Sequence, residues 1–156
     1  MSTPTELDRF AYSFFHEFAR CEYCLKAVGL LEGSPSNPKA DWGTFAAQVI
    51  AVFDMPPNQE TEDAIQYYLT YPPKKQVLVD GALSWSTTLP DHQNQAELVL
   101  RLVCRVRNNL FHGGKFNGRW FAPKRSEELL RRGLVILQAV VLGHSKVREA
   151  YANRAD

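Results

Sequence analysis

The sequence predicts a mainly α-helical domain, a helical bundle of about four to five helices with a small β-hairpin insertion. Three observations support this fold class. Apolar residues recur every three or four positions in several segments, which is the spacing of amphipathic helices. Proline and glycine separate these segments. A single short stretch, residues 77–85, is instead rich in β-branched and aromatic residues around an Asp-Gly pair.

The first helix is predicted over residues 7–31. Its apolar face consists of residues spaced by three or four: Phe10, Phe14, Phe18, Cys21 and Leu25. Thr3 or Thr5 is suited to cap the N-terminus, and Gly33 ends the helix. Cys21 and Cys24 have the CxxC spacing of zinc and redox sites, and His16 lies nearby. A zinc site would still need a fourth ligand and a redox motif a preceding strand, and the apolar surroundings favour core residues. We therefore expect neither a metal nor a cofactor.

Two shorter helices follow a predicted loop. Residues 32–40 are rich in serine, proline and asparagine, which is typical of a loop. Asp41 is a suitable N-cap for a second helix over residues 42–53, which a pair of prolines stops. A third helix is predicted over residues 60–69, and it also ends before two prolines.

A hairpin and two long helices complete the chain. The Asp-Gly pair at 80–81 favours a type I′ turn, so residues 77–85 are predicted to form the hairpin. A long helix is then expected over residues 92–112, closed by a double glycine. The last helix is predicted over about residues 126–152, starting at Pro123 or Ser126.

Length and composition indicate one domain that spans residues 1–156. The chain is 45% hydrophobic and 22% charged, as in ordinary globular proteins. No apolar run approaches the roughly 20 residues that a membrane span needs, and the polar N-terminus is unlike a signal peptide. Three cysteines, an odd number, argue against a disulfide framework. We expect a cytoplasmic protein that does not contact a membrane.

Charge is distributed unevenly along the chain. Residues 101–132 hold nine basic and two acidic side chains, a balance of +7, so the remaining residues carry −6 to give the net charge of +1. Such an asymmetry is typical of a polyanion site, and it is equally typical of the solvated faces of two helices. The candidate RNA-binding residues in this window are Arg101, Arg105, Lys115, Arg119, Lys124 and Arg125.

The motif RNNLFH, residues 107–112, ends the long predicted helix. At 100° per residue, Arg107 projects from the apolar arc, whereas Arg101, Arg105, Asn108 and His112 line the opposite face. A buried guanidinium needs a partner. That partner is either an acid of the first helix, Glu17 or Glu22, or else carbonyl groups, a second subunit or an anionic ligand. His112 can likewise be a simple C-terminal cap, stabilised by the helix dipole.

The Arg-Asn-x-x-x-His pattern of Arg107, Asn108 and His112 resembles the signature of the HEPN superfamily, a group of small α-helical domains common in prokaryotic toxins, phage-defence systems and CRISPR-associated ribonucleases. The long helix before the motif, the glycines after it and the closing helix are also similar. One HEPN subgroup has a tyrosine shortly after the histidine, and here Gly113 and Gly114 stand instead.

The resemblance implies a metal-independent endoribonuclease, in which the RNA's own 2′-hydroxyl attacks the phosphate at a composite site on a dimer interface. His112 would then move protons, Arg107 would bind the phosphate, and Asn108 would orient the imidazole or the phosphate. It also implies a homodimer and, for a toxin or defence effector, an antitoxin or defence-system partner. The alternatives are a non-catalytic HEPN-like module that dimerises or binds a nucleotide or partner protein, and an antitoxin or regulatory subunit.

Overall fold

The computed structural model describes residues 5–111, 115–116, 119–120 and 123–153, and the side chains of residues 5–110 and 123–153. This part of the chain is mainly helical, as predicted. Its elements in order are α1 (Glu6–Ala27), β1 (Leu31–Ser34), β2 (Asn37–Ala40), α2 (Trp42–Gln48), α3 (Ile50–Asp54), α4 (Gln59–Thr70), β3 (Lys75–Val79), β4 (Ala82–Ser86), α5 (Gln95–Phe111), β5 (Lys115–Phe116), β6 (Arg119–Trp120), α6 (Pro123–Leu142) and α7 (Ser145–Ala152).

The core lies where α6 packs against both α1 and α4. Gly133 of α6 allows this close approach, because a Cβ atom there would lie 2.7 Å from the Tyr68 hydroxyl and 2.8 Å from Cε2 of Phe14. Both aromatic side chains are fully buried. The Tyr68 hydroxyl donates a hydrogen bond to the carbonyl oxygen of Leu129, so the polar atom is satisfied within the core.

Local capping residues determine where α1 begins. The Thr5 hydroxyl accepts a hydrogen bond from the Asp8 amide at 3.1 Å, and the Asp8 carboxylate accepts one from the Thr5 amide at 2.8 Å. This reciprocal arrangement is a capping box and confirms Thr5 as the cap. The helix ends at Ala27, before Gly29, whose φ of +91° is incompatible with a continuing helix. The prediction that it extends to residue 31 was wrong.

The predicted loop at residues 32–40 is instead part of a second hairpin, β1–β2. Its strands pair antiparallel, with Leu31 opposite Ala40 and Gly33 opposite Pro38. Gly33 has a φ of +90°, and a Cβ atom at this position would lie 2.5 Å from the Asn37 carbonyl oxygen. The composition that indicated a loop is compatible with a short two-stranded ribbon, where both strands are edges and proline is tolerated.

Two predicted helices are each broken into two. Residues 42–53 divide at Val49 into α2 and α3. The last helix divides after Leu142, where His144 takes an extended conformation and caps α7 by accepting a hydrogen bond from the Val147 amide at 3.2 Å. Its other ring nitrogen lies 2.7 Å from the Gln48 side-chain oxygen. Because Nδ1 accepts, Nε2 carries the hydrogen that is donated to Gln48.

The predicted hairpin is confirmed as β3–β4. Asp80 and Gly81 both have positive φ, at 50° and 78°, as a type I′ turn requires. The antiparallel register places Leu78 opposite Leu83, and both side chains are 71% exposed. Among the helices that the structure describes, none combines the length and apolar composition that a membrane crossing requires.

Candidate functional site

Helix α5 carries the RNNLFH motif at its C-terminal end. Asn94 caps its start, since its side-chain oxygen accepts a hydrogen bond from the Glu97 amide at 2.8 Å. The helix therefore begins at Gln95, three residues later than predicted. The predicted apolar face is buried, including Val99, Leu102, Val103 and Val106. Of the motif, residues 107–110 are described in full, and His112 and the two glycines lie outside the described residues.

Arg107 and Asn108 contact each other at the last described turns of α5. Nη1 of Arg107 donates a hydrogen bond to the side-chain oxygen of Asn108 at 2.9 Å. The guanidinium carbon lies 5.5 Å from the centre of the Phe18 ring of α1, within the range of a cation–π interaction. Arg107 thus lies in the seam between α5 and α1, and Asn108 is exposed to solvent.

The pKa of the Cys104 thiol depends on the charged side chains around this seam. Burial and, to a smaller extent, the negative charge of Glu22 raise this pKa to about 12, and the positive charges of Arg101 and Arg107 act in the opposite direction. Glu22 and Arg107 therefore both lie near the same thiol. An ion pair of Arg107 with Glu17 or Glu22 stays a prediction.

Arg101, a predicted RNA contact, forms an ion pair with Glu97 in which Nη2 lies 2.7 Å from a carboxylate oxygen. Glu97 also accepts a hydrogen bond from the Gln93 amide at 2.9 Å. That hydrogen bond and Arg101 together hold the pKa of Glu97 below its usual value. Gly43 at the start of α2 packs directly on the pair, because a Cβ atom there would lie 2.9 Å from the Glu97 carboxylate. The pair therefore joins α2 to α5.

Arg105, a predicted RNA contact on the face of the helix opposite the apolar arc, is only 8% exposed. Its Nη1 donates hydrogen bonds to the carbonyl oxygens of Pro73, at 3.2 Å, and Thr88, at 3.0 Å. Burial lowers the pKa of the guanidinium, which remains positively charged. The chain segments before β3 and after β4 cover this part of α5, and the contact of Arg105 with RNA stays a prediction.

Side chains of α5 and α6 hold the segment of residues 71–74, which we call the anchored segment. Four successive carbonyl oxygens of this segment accept hydrogen bonds. Arg125 bonds Tyr71 and Pro72, each at 2.9 Å, Arg105 bonds Pro73, and Asn109 bonds Lys74 at 2.9 Å. Proline has no amide hydrogen and restricts the residue before it, so this stretch forms no helix or ladder of its own. Sequence reasoning missed Asn109, and the only available signal was its position in the motif.

The remaining predicted RNA contacts are Lys124, Lys115 and Arg119. Lys124 is exposed in the first turn of α6. Lys115 and Arg119 lie on the short β5–β6 hairpin, and their side chains lie outside the described part of the chain. Of the six predicted basic residues, three are thus bonded within the fold: Arg101, Arg105 and Arg125.

Cys21 and Cys24 are buried in the core, as predicted. Burial raises the pKa of both thiols, so neither side chain has the thiolate character of a reactive cysteine. Within the described residues, no group of histidine, cysteine, aspartate and glutamate side chains is placed to hold a metal ion.

Comparisons with family models, curated proteins and solved structures find no match to this chain.

Proposed function

We propose that the chain is a HEPN-type, metal-independent endoribonuclease that acts as a toxin or a phage-defence effector. The observation that carries this proposal is the contact between Arg107 and Asn108 at the end of α5, shortly before His112 in the sequence. The Phe18 ring and Asn108 restrict the guanidinium, so less side-chain entropy is lost when it binds a phosphate.

The proposed reaction breaks one phosphodiester bond without a cofactor. The RNA 2′-oxygen forms a bond to phosphorus and loses its proton to a base, and the 5′-oxygen leaves and takes a proton from an acid. The products are a 2′,3′-cyclic phosphate and a 5′-hydroxyl end. Arg107 stabilises the charge that develops on the phosphorane, Asn108 orients the reacting groups, and His112 transfers protons.

One imidazole cannot be the base and the acid at the same moment, because it holds only one of the two protonation states. We therefore propose a homodimer in which the ends of two α5 helices, together with α6, face one cleft, so that each copy supplies a His112. A partner protein from a toxin or defence system, such as an antitoxin, would bind over that cleft.

Purified protein incubated with tRNA, mRNA and rRNA in excess EDTA tests the activity. We expect cleavage that survives chelation and leaves cyclic phosphate ends. His112→Ala should abolish it, and Arg107→Ala should slow it by about 100-fold, the typical cost of losing a transition-state contact. Lys146→Ala, on the exposed face of α7, serves as the control and should keep full activity. Cleavage that EDTA abolishes, or that both motif variants retain, would refute the proposal.

A second candidate is a non-catalytic HEPN-like module that dimerises or binds a nucleotide or partner protein. One observation favours it: Arg101, Arg105 and Arg125, which a nuclease would use on RNA, already bond to other groups of the protein. Intact RNA in all three substrate classes, with a stable dimer in sedimentation, is the result expected for this alternative.

A further inference from the structure

A groove runs between the polar face of α5 and the β3–β4 hairpin, and we call it the hairpin groove. It consists of two adjoining depressions, of about 800 Å³ and about 450 Å³. Both are lined by Lys75, Pro90, Arg101 and Arg105, so they adjoin along α5. The smaller depression also reaches Asn108, so this end of the hairpin groove lies beside the described part of the RNNLFH motif.

The two ends of the hairpin groove differ in charge. The end away from the motif includes two acids, Asp91 and Glu97. Glu97 is neutralised there by its ion pair with Arg101. The cations Lys75, Arg101 and Arg105 line both ends, but the described residues of the motif end include no acid, and the side-chain amides of Gln76, Asn108 and Asn109 are added there. This end therefore has the positive potential and the hydrogen-bonding groups that suit an anionic ligand with polar edges.

Lys75 is the cation of this end that is available to a ligand. Arg101 is bonded to Glu97, and Arg105 is bonded to the carbonyl oxygens of Pro73 and Thr88. Lys75 is exposed, and it is the first residue of β3, paired with Ser86. The backbone just before it is held by the hydrogen bond from Asn109 to the Lys74 carbonyl oxygen. Its position relative to the motif is thus set by the motif helix itself.

The size and the polar groups of the hairpin groove favour an unpaired RNA strand over a duplex. A depression of about 450 Å³ has the volume of a small-ligand site, and Lys75 places an ammonium group along it. A duplex presents its bases paired and is recognised mainly across a wide minor groove. An unpaired strand instead exposes base edges to amide groups and its phosphates to lysine.

We propose that the hairpin groove holds the single-stranded RNA next to the cleavage motif, with Lys75 contacting a phosphate and with Gln76 facing a base edge. This inference rests on the proposed ribonuclease function, and it names the path of the substrate. Lys75 ends the PPKK stretch at residues 72–75, whose sequence indicates an exposed loop, and it lines both depressions of the groove.

Binding of a fluorescent oligouridine of about 12 nucleotides, a length within single-strand site sizes, tests the proposal. The probe carries 2′-O-methyl groups, so it cannot be cleaved through a 2′-hydroxyl, and the unsubstituted protein can be used. Affinity is measured by anisotropy between about 50 and 200 mM salt. We expect Lys75→Ala to weaken binding and to reduce the slope of log affinity against log salt by about 0.7, the value for one phosphate on a single strand.

Lys39→Ala is the matched control, because Lys39 is also an exposed strand lysine but belongs to a different hairpin, β1–β2. It should leave the slope unchanged. The proposal is overturned if the probe does not bind or if the two variants give equal salt slopes. It is also overturned if the protein binds the corresponding duplex, or a polyglutamate peptide of the same charge, as tightly as the probe. If RNA is cleaved in EDTA but Lys75→Ala leaves the salt slope unchanged, the groove proposal alone is refuted. If the probe binds in a manner that depends on Lys75 but no RNA is cleaved, the ribonuclease proposal alone is refuted.

Discussion

Replacing Arg105 separates a structural role from an RNA-binding role. The guanidinium is 8% exposed and donates hydrogen bonds to the carbonyl oxygens of Pro73 and Thr88, which flank the β3–β4 hairpin. We expect Arg105→Met to destabilise the protein, because methionine keeps the apolar stem and removes both donors. Arg105 should contribute little to RNA binding, since its Nη1 already donates both hydrogen bonds within the fold.

The magnitude follows from the two carbonyl groups left without a donor. A hydrogen bond to a charged group contributes about 1.5–3 kcal/mol, and an unsatisfied buried acceptor costs about 1–3 kcal/mol. The bond to Pro73 is buried and the bond to Thr88 is partly buried, so water can replace part of the second. The expected loss is about 2–4 kcal/mol, which is a large fraction of the roughly 5–15 kcal/mol that stabilises a typical domain.

Urea unfolding followed by circular dichroism measures this loss. Arg105→Lys should lie between the wild-type protein and Arg105→Met, because one ammonium cannot reproduce the planar geometry of a guanidinium. Lys124→Ala, at an exposed position, should change the free energy of unfolding by less than about 0.5 kcal/mol. An unchanged urea midpoint for Arg105→Met, together with weaker RNA binding, would refute the reasoning and restore Arg105 as an RNA contact.

Two further perturbations test the packing and the charges. Gly133→Ala should lower the free energy of unfolding by about 1–3 kcal/mol, since its methyl group would overlap the fully buried Phe14 and Tyr68 side chains. Urea unfolding measures this loss, with Gln138→Ala on the exposed side of α6 as the control. A Gly133→Ala variant that is more stable than the wild-type protein would contradict the packing. The lowered pKa of Glu97 means that the folded chain keeps this carboxylate ionised at a pH where the unfolded chain protonates it. The free energy of unfolding should therefore fall as the pH drops below 4.5, the usual pKa of glutamate, and through the lower folded-state pKa. Glu97→Gln should reduce this pH dependence, measured by unfolding at several pH values. An unchanged pH dependence would show that Glu97 does not contribute to it.

Predictions that depended on a few neighbouring residues were the accurate ones. Thr5 and Asp41 cap their helices as expected, because a capping side chain bonds an amide only three residues away. The Asp80-Gly81 turn was predicted for the same reason, since both residues tolerate positive φ. The buried face of α5 followed from helical spacing alone.

Helix ends and the second hairpin were predicted less well. The last helix was expected to continue through residues 143–144, but His144 leaves it and caps α7 while contacting Gln48, which lies 96 residues away in the chain. No pattern near His144 indicates that partner. The β1–β2 hairpin was missed because serine, proline and asparagine suit a loop and a two-stranded ribbon equally.

The sequence by itself determined the helical class, the caps, the Asp-Gly turn and the joint occurrence of arginine and asparagine at the end of α5, because these depend on interactions within a few residues. Only the tertiary structure decided which basic side chains remain available to a ligand. Arg105 and Arg125 bond carbonyl groups 32 and 53 residues away. A helical wheel places a guanidinium on a face, but the distant chain segment that covers this face becomes a neighbour only on folding, and it converts a solvated cation into a buried donor.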